Sequence, residues 1–131
     1  MVRVLVVDDE EPLRRLLRKE LTRKGFQVEV VPDGRAALNL LKNNSFDVVL
    51  LDIVMPGIDG IAVMKKMKSD PFQPVIIVLT GKATVETAVE AMKKGAYDYL
   101  SKPYKLDELV IVINRAYEFG RLSIKTQLLE Q

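Results

Sequence analysis

The sequence predicts a doubly wound α/β fold, a five-stranded parallel sheet with helices on both faces, and three observations carry that prediction. Short apolar runs such as residues 4–7, 48–51 and 75–79 are continuous in hydrophobicity, which suits parallel strands buried on both faces. The segments between them place apolar residues three and four apart, so strands and helices alternate strictly, the pattern of right-handed crossovers. The runs also end abruptly in polar residues, Asp8, Asp52 and Thr80 among them. In open α/β sheets that carboxyl edge is where ligands bind, so charge placed there asks for a chemical explanation.

The first strand, 2–7, is closed by Asp8-Asp9-Glu10-Glu11, and Pro12 opens a helix with Leu13, Leu16, Leu17 and Leu21 at helical spacing. Gly25 after Arg23-Lys24 is an ordinary stop for a helix whose last turn carries cations. A second strand covers 26–31. Pro32-Asp33-Gly34 then turns the chain into a short helix built on Ala36, Ala37, Leu38, Leu40 and Leu41, ending near Asn43-Asn44. The third strand ends at Asp52, and Met55-Pro56-Gly57-Ile58-Asp59-Gly60 reads as a turn-rich loop. Ile61, Val63, Met64 and Met67 lie on a third helix that stops at Ser69-Asp70-Pro71. The fourth strand, 75–79, ends at Thr80-Gly81, and a fourth helix runs from about 85 to 94, closed by Gly95. A weaker fifth strand, 97–101, is ended by Lys102-Pro103. From about Lys105 the chain is helical, with Leu106, Leu109, Val110, Ile113 and Tyr117 on one face.

With 131 residues and 48% hydrophobic content the chain fits one compact domain with a sizeable core. The one expected boundary is near Phe119-Gly120, giving a domain at 1–119 and a helical extension at 120–131. In the extension Leu122, Ile124, Leu128 and Leu129 continue an apolar pattern that a closed domain does not need, so it protrudes or packs against another chain. The absence of Cys and His excludes disulfides, thiolate chemistry and imidazole catalysis. Net charge is only +2 with Lys and Arg interleaved among Asp and Glu, which disfavours direct nucleic-acid contact by this segment. No apolar run is long enough to cross a bilayer, and the amino terminus enters a strand without a signal pattern, so no membrane association and a cytoplasmic location are expected.

Strand ends one, three, four and five bring Asp8-Asp9, Asp52, Thr80 and Lys102 to one edge. Each has a purely structural reading: the acidic run as a helix N-terminus, Asp52 and Thr80 as turn or cap residues, Lys102 as a solvated amine. Converging together they do not, because carboxylates at ~4 Å repel by about 4 kcal/mol per pair at an effective dielectric near 20. Lys102 supplies one positive charge. A divalent cation with oxygen ligands supplies the rest, Mg²⁺ by preference with Mn²⁺ as the alternative. Such a site suits phosphoryl transfer, with Asp52 as nucleophile, Lys102 neutralising a phosphoryl oxygen and the Thr80 hydroxyl meeting another.

These residues, with Met55-Pro56-Gly57-Ile58-Asp59-Gly60, Thr80-Gly81, Ala96-Tyr97-Asp98-Tyr99-Leu100 and Lys102-Pro103, resemble the receiver domain of two-component response regulators over about residues 1–120. The resemblance implies a flavodoxin-like strand order 2-1-3-4-5 and a phosphorylation switch driven by a sensor histidine kinase. It implies that Asp52 is the phospho-acceptor, that Asp9, Asp52 and the backbone carbonyl of Val54 bind Mg²⁺ directly, and that Asp8 acts through water. Thr80 and Tyr99 correspond to the pair that moves on phosphorylation; taken alone, Tyr99 reads as half-buried packing with a wet hydroxyl. Lys102 is the phosphate-contacting amine, with a cis bond to Pro103. Val54 and Lys82 stand at two positions that tune loss of the phosphoryl group, and an apolar Val54 cannot orient a water, which implies a long-lived phosphorylated state.

The segment Gly81 to Met92 and the tail through Arg115-Ala116-Tyr117 and Leu122 are similar to receivers of sigma-54-dependent transcription activators, in which the helix beyond the domain helps two receivers dimerise. A homodimer through the last helix and the fourth-helix/fifth-strand face is therefore expected. The chain holds no Gly-rich phosphate loop and no helix-turn-helix candidate, so it is expected to be a fragment or to act on an output partner. Other classes fit less well. A phosphohydrolase with an Asp nucleophile usually carries a second Asp two residues later, where Val54 stands. A flavin or nucleotide module would have a Gly-, Ser- or Thr-rich loop after the first strand, where the acidic run would repel a phosphate arriving without a metal.

Overall fold

The computed structural model describes residues 1–55, 58–69, 73–81 and 84–130, with 54–55, 58–59 and 124–130 described as backbone. The Pro56-Gly57 turn, the Asp70-Pro71 helix stop and Lys82 fall outside the described residues.

Five parallel strands form the sheet: β1 Arg3–Val7, β2 Gln27–Val31, β3 Val48–Leu51, β6 Val75–Thr80 and β7 Asp98–Ser101, in the order β2-β1-β3-β6-β7. Counted within this sheet the order is 2-1-3-4-5, as expected. The numbering skips because a two-stranded antiparallel pair, β4 Val54–Met55 and β5 Ile58–Asp59, forms where a loop was expected. Two residues a side give too short a run to show any alternation, so no periodicity betrayed it.

The helices are α1 Glu11–Arg23, α2 Gly34–Leu41, α3 Gly60–Met67, α4 Val85–Lys93 and α5 Leu106–Glu130. Their ends follow local chemistry. Asp33 caps α2 by accepting the Ala36 N–H at 2.8 Å, and Thr84 and Thr87 form a reciprocal capping box on α4. Gly25 and Gly95 end the chain's turns after α1 and α4 at φ +97° and +113°, the left-handed region in which a Cβ is costly. α5 runs through Phe119-Gly120 without interruption.

The continuous apolar runs are explained by the two half-cores. Val4, Val6, Val48, Leu50, Ile77 and Leu79 face α1 and α5, meeting Leu17, Leu21, Leu109 and Ile113. Their immediate neighbours Leu5, Val7, Val49, Leu51, Ile76 and Val78 face α2, α3 and α4, meeting Ala37, Val63, Met64 and Ala91. Side chains alternate across a strand, so two buried faces require every residue to be apolar. All four residues of β3 are accordingly buried.

Candidate functional site

Three ladder hydrogen bonds carry the sheet one step beyond its strands and thereby fix the site. The N–H of Asp8 donates to the Val31 carbonyl, that of Asp52 to the Val7 carbonyl at 3.0 Å, and that of Lys102 to the Thr80 carbonyl at 2.9 Å. Asp8, Asp52 and Lys102 are thus held by backbone on the carboxyl edge, and Thr80 is the last residue of β6, in register with Ser101. Asp8, Asp52 and Thr80 are all buried, at 2%, 5% and 1% exposure. Polar groups so deeply placed at strand ends need partners.

The two carboxylates share the Lys102 ammonium. It donates to Asp8 Oδ2 at 2.8 Å, to Glu10 Oε2 at 3.0 Å and to Asp52 Oδ2 at 3.1 Å. Partial burial alone pulls its pKa down, but the bonds to Asp8, Glu10 and Asp52, with the Asp52 charge, outweigh desolvation and hold it above the ordinary lysine value. Asp8 is anchored further: its Oδ1 accepts the Glu10 N–H at 2.9 Å and its carbonyl accepts the Arg14 guanidinium at 2.7 Å. The Lys102-Pro103 peptide is cis.

Oxygens of Asp8, Glu10 and Asp52 all lie within 4.8 Å of one another, a separation at which like charges repel by roughly 3.5 kcal/mol at an effective dielectric near 20. Among the described residues the three carboxylates share one ammonium, a surplus of negative charge. That surplus, and a donor set made only of oxygens, fit a hard divalent cation.

Of the residues singled out in the sequence, Asp8, Asp52 and Lys102 meet directly and Thr80 stands on the same edge. Asp9 is exposed and outside the trio. Val54 lies in β4, where the backbone alone is described. Tyr99 is half-buried against the α2–α4 half-core, and its hydroxyl, wet in the purely structural reading, is buried with no hydrogen-bond partner among the described residues. Glu10 was missed. It lies in the acidic run, which reads as favourable charge at a helix start, and only the fold shows that Glu10 as well as Asp8 reaches Lys102.

A family model, the response regulator receiver domain, matches residues 4–114. The chain belongs to this family. As a receiver domain it is 42% identical over 129 residues to regulatory protein AtoC of Escherichia coli (strain K12), covering 98% of this chain and 28% of that protein. It is 43% identical over 109 residues to response regulator MprA of Mycobacterium sp. (strain KMS), covering 83% of this chain and 47% of that one. The chain therefore spans between about a quarter and a half of these relatives. Among solved structures, NtrX from Brucella abortus superposes with a TM-score of 0.88 at 34% identity, covering 98% of this receiver and 30% of that chain. The beryllofluoride-activated NtrC4 receiver domain dimer gives 0.85 at 38% identity, covering 92% and 99%. The receiver is a regulatory domain of two-component systems, related to transcription activators. Among the described residues no helix is long and apolar enough to cross a membrane.

Proposed function

We propose that this receiver is a switch set by phosphorylation of Asp52. The observation that carries the reading is the buried Asp52 carboxylate held 3.1 Å from the Lys102 ammonium at the carboxyl edge of the sheet. A sensor histidine kinase presents a phosphohistidine, and an Asp52 oxygen attacks its phosphorus. An O–P bond forms as the P–N bond breaks, and the imidazole nitrogen keeps the bonding pair. A bound Mg²⁺, with Mn²⁺ as the alternative, would supply neutralisation of the charge developing on the phosphoryl oxygens. Asp9, Asp52 and the Val54 carbonyl would hold it, and Asp8 would act through water. Lys102 orients another phosphoryl oxygen.

Thr80 then turns its hydroxyl toward the new group, and Tyr99 follows as the ring that reports the change to the surface. The domain turns over no external substrate; its product is a conformational state that regulates transcription through an attached or partner output module, in the cytoplasm, with no direct nucleic-acid or membrane contact. Residues 1–119 are the switch, and 120–131 a linker or dimerisation helix. A homodimer through α5 and the α4–β7 face is supported by the exposed stripe Val85, Val89 and Met92, at helical spacing on α4. The sigma-54-dependent activators are the subclass this arrangement fits best.

The test is intact mass after incubation with acetyl phosphate and Mg²⁺. Wild type is expected to gain one phosphoryl group and Asp52→Asn none. An unchanged wild-type mass, or a gain that survives the substitution, overturns the assignment.

A further inference from the structure

Glu10 stands at the N-cap of α1, yet its side chain makes no capping bond, and Glu is not among the residues that cap helices well. Its carboxylate instead reaches Lys102 Nζ at 3.0 Å, across 92 positions of sequence. An ammonium has three protons to donate. Asp8, Glu10 and Asp52 engage all three, so a phosphoryl oxygen on Asp52 can gain a bond from Lys102 only if one partner gives way. Asp8 has a side chain only 3% exposed, and its other oxygen already accepts the Glu10 N–H. Asp52 is the group being modified. The Glu10 side chain is 61% exposed, so water replaces its bond at least cost. Its oxygen also lies within 4.8 Å of an Asp52 oxygen, where it would face the incoming anion.

We propose that Glu10 is a positioning residue that holds the Lys102 ammonium over Asp52 in the resting site and is exchanged for a phosphoryl oxygen when Asp52 is phosphorylated. The inference rests on the reading of Asp52 as phospho-acceptor. Glu10 thereby restrains phosphorylation twice, by occupying a donor of Lys102 and by repelling an anionic donor molecule.

The experiment follows mass gain with acetyl phosphate in wild type, Glu10→Gln, Glu10→Asp and Asp52→Asn across Mg²⁺ and salt concentrations. An Asp52 oxygen forms the O–P bond while acetate leaves with the bonding pair. Glu10→Gln is expected to gain mass about three-fold faster, the scale of one exposed charge contact. Added salt, which screens the repulsion, should narrow the gap. Glu10→Asp keeps the charge but shortens the reach, and is expected to fall between the two. Exchange broadening of the Lys102 ammonium protons by NMR provides a readout in the unphosphorylated protein, and Glu10→Gln should increase it. If wild type gains mass at Asp52 while Glu10→Gln has the same rate and salt dependence, the Glu10 inference fails alone. If Glu10→Gln instead needs more Mg²⁺ to reach the wild-type rate, Glu10 is a metal ligand and the exchange is overturned. If wild type gains nothing, or Asp52→Asn gains equally, the phospho-acceptor reading fails first.

Discussion

The Lys102 ammonium and the Asp52 carboxylate stand 3.1 Å apart although 50 positions of sequence separate them. Asp52 is 5% exposed and the Lys102 side chain 16%, so the pair lies where water screens poorly. Removing one partner from a buried pair leaves an uncompensated charge, which costs more than the pair is worth. Lys102→Ala strands both Asp8 and Asp52, and is expected to lower unfolding free energy by about 3 kcal/mol. Urea denaturation in chelator measures this, and added Mg²⁺ should restore part of the loss.

Asp52→Asn is expected to act in the opposite direction in chelator. The substitution removes two repulsions of roughly 3.5 kcal/mol each and one attraction to Lys102 of roughly 5 kcal/mol, at an effective dielectric near 20. The balance favours Asn by about 1 kcal/mol once the exposed Glu10 is discounted. Thermal unfolding should show a higher Tm for the variant in chelator, with the advantage shrinking as Mg²⁺ is added. A variant no more stable than wild type in chelator would show that Lys102 already balances the site.

Gly60, the first residue of α3, sits so close to Ile53 that an added Cβ would overlap the Ile53 backbone. Gly60→Ala gains up to about 1 kcal/mol of helix propensity, but backbone cannot yield as a side-chain tip can, and overpacking costs about 1–3 kcal/mol. The expected outcome is a net loss of about 1–2 kcal/mol in urea denaturation. Because Ile53 follows Asp52 directly, slower mass gain with acetyl phosphate should accompany it.

Among the described residues the buried Tyr99 hydroxyl has no hydrogen-bond partner, and a hydroxyl that gives up water without gaining a bond costs stability. Tyr99→Phe is expected to raise stability by up to about 1 kcal/mol in the unphosphorylated protein. Equal or lower stability would indicate that the hydroxyl has a partner in solution.

Tyr104 supplies a dependence on alkaline pH. Burial raises its pKa from 10.0 to about 12, opposed by Lys102 and reinforced by Asp8, Glu10 and Asp52. Between those values the unfolded chain releases the proton that the folded protein still holds, so stability falls as pH rises through this window. Wild type is expected to lose stability more steeply than Tyr104→Phe above pH 10. Urea midpoints collected on either side of that pH measure the difference.

The amino-acid sequence by itself determined the five strands of the parallel sheet, their order of occurrence and the edge on which the chemistry gathers. Apolar continuity at Val48-Val49-Leu50-Leu51 can be satisfied only between two helical layers, and a charge directly after it can only stand at the strand's end. Asp8, Asp52, Thr80 and Lys102 were legible for that reason. Tertiary structure alone decided what those residues touch. It brought Glu10 as well as Asp8 out of the four adjacent carboxylates to Lys102, placed Asp9 at the surface, buried the Tyr99 hydroxyl and paired Val54–Met55 with Ile58–Asp59. The first three depend on where a side chain points after a turn or on contacts between segments far apart in sequence, and the last is a local pairing too short to show alternation. Periodicity within a segment carries no information about either.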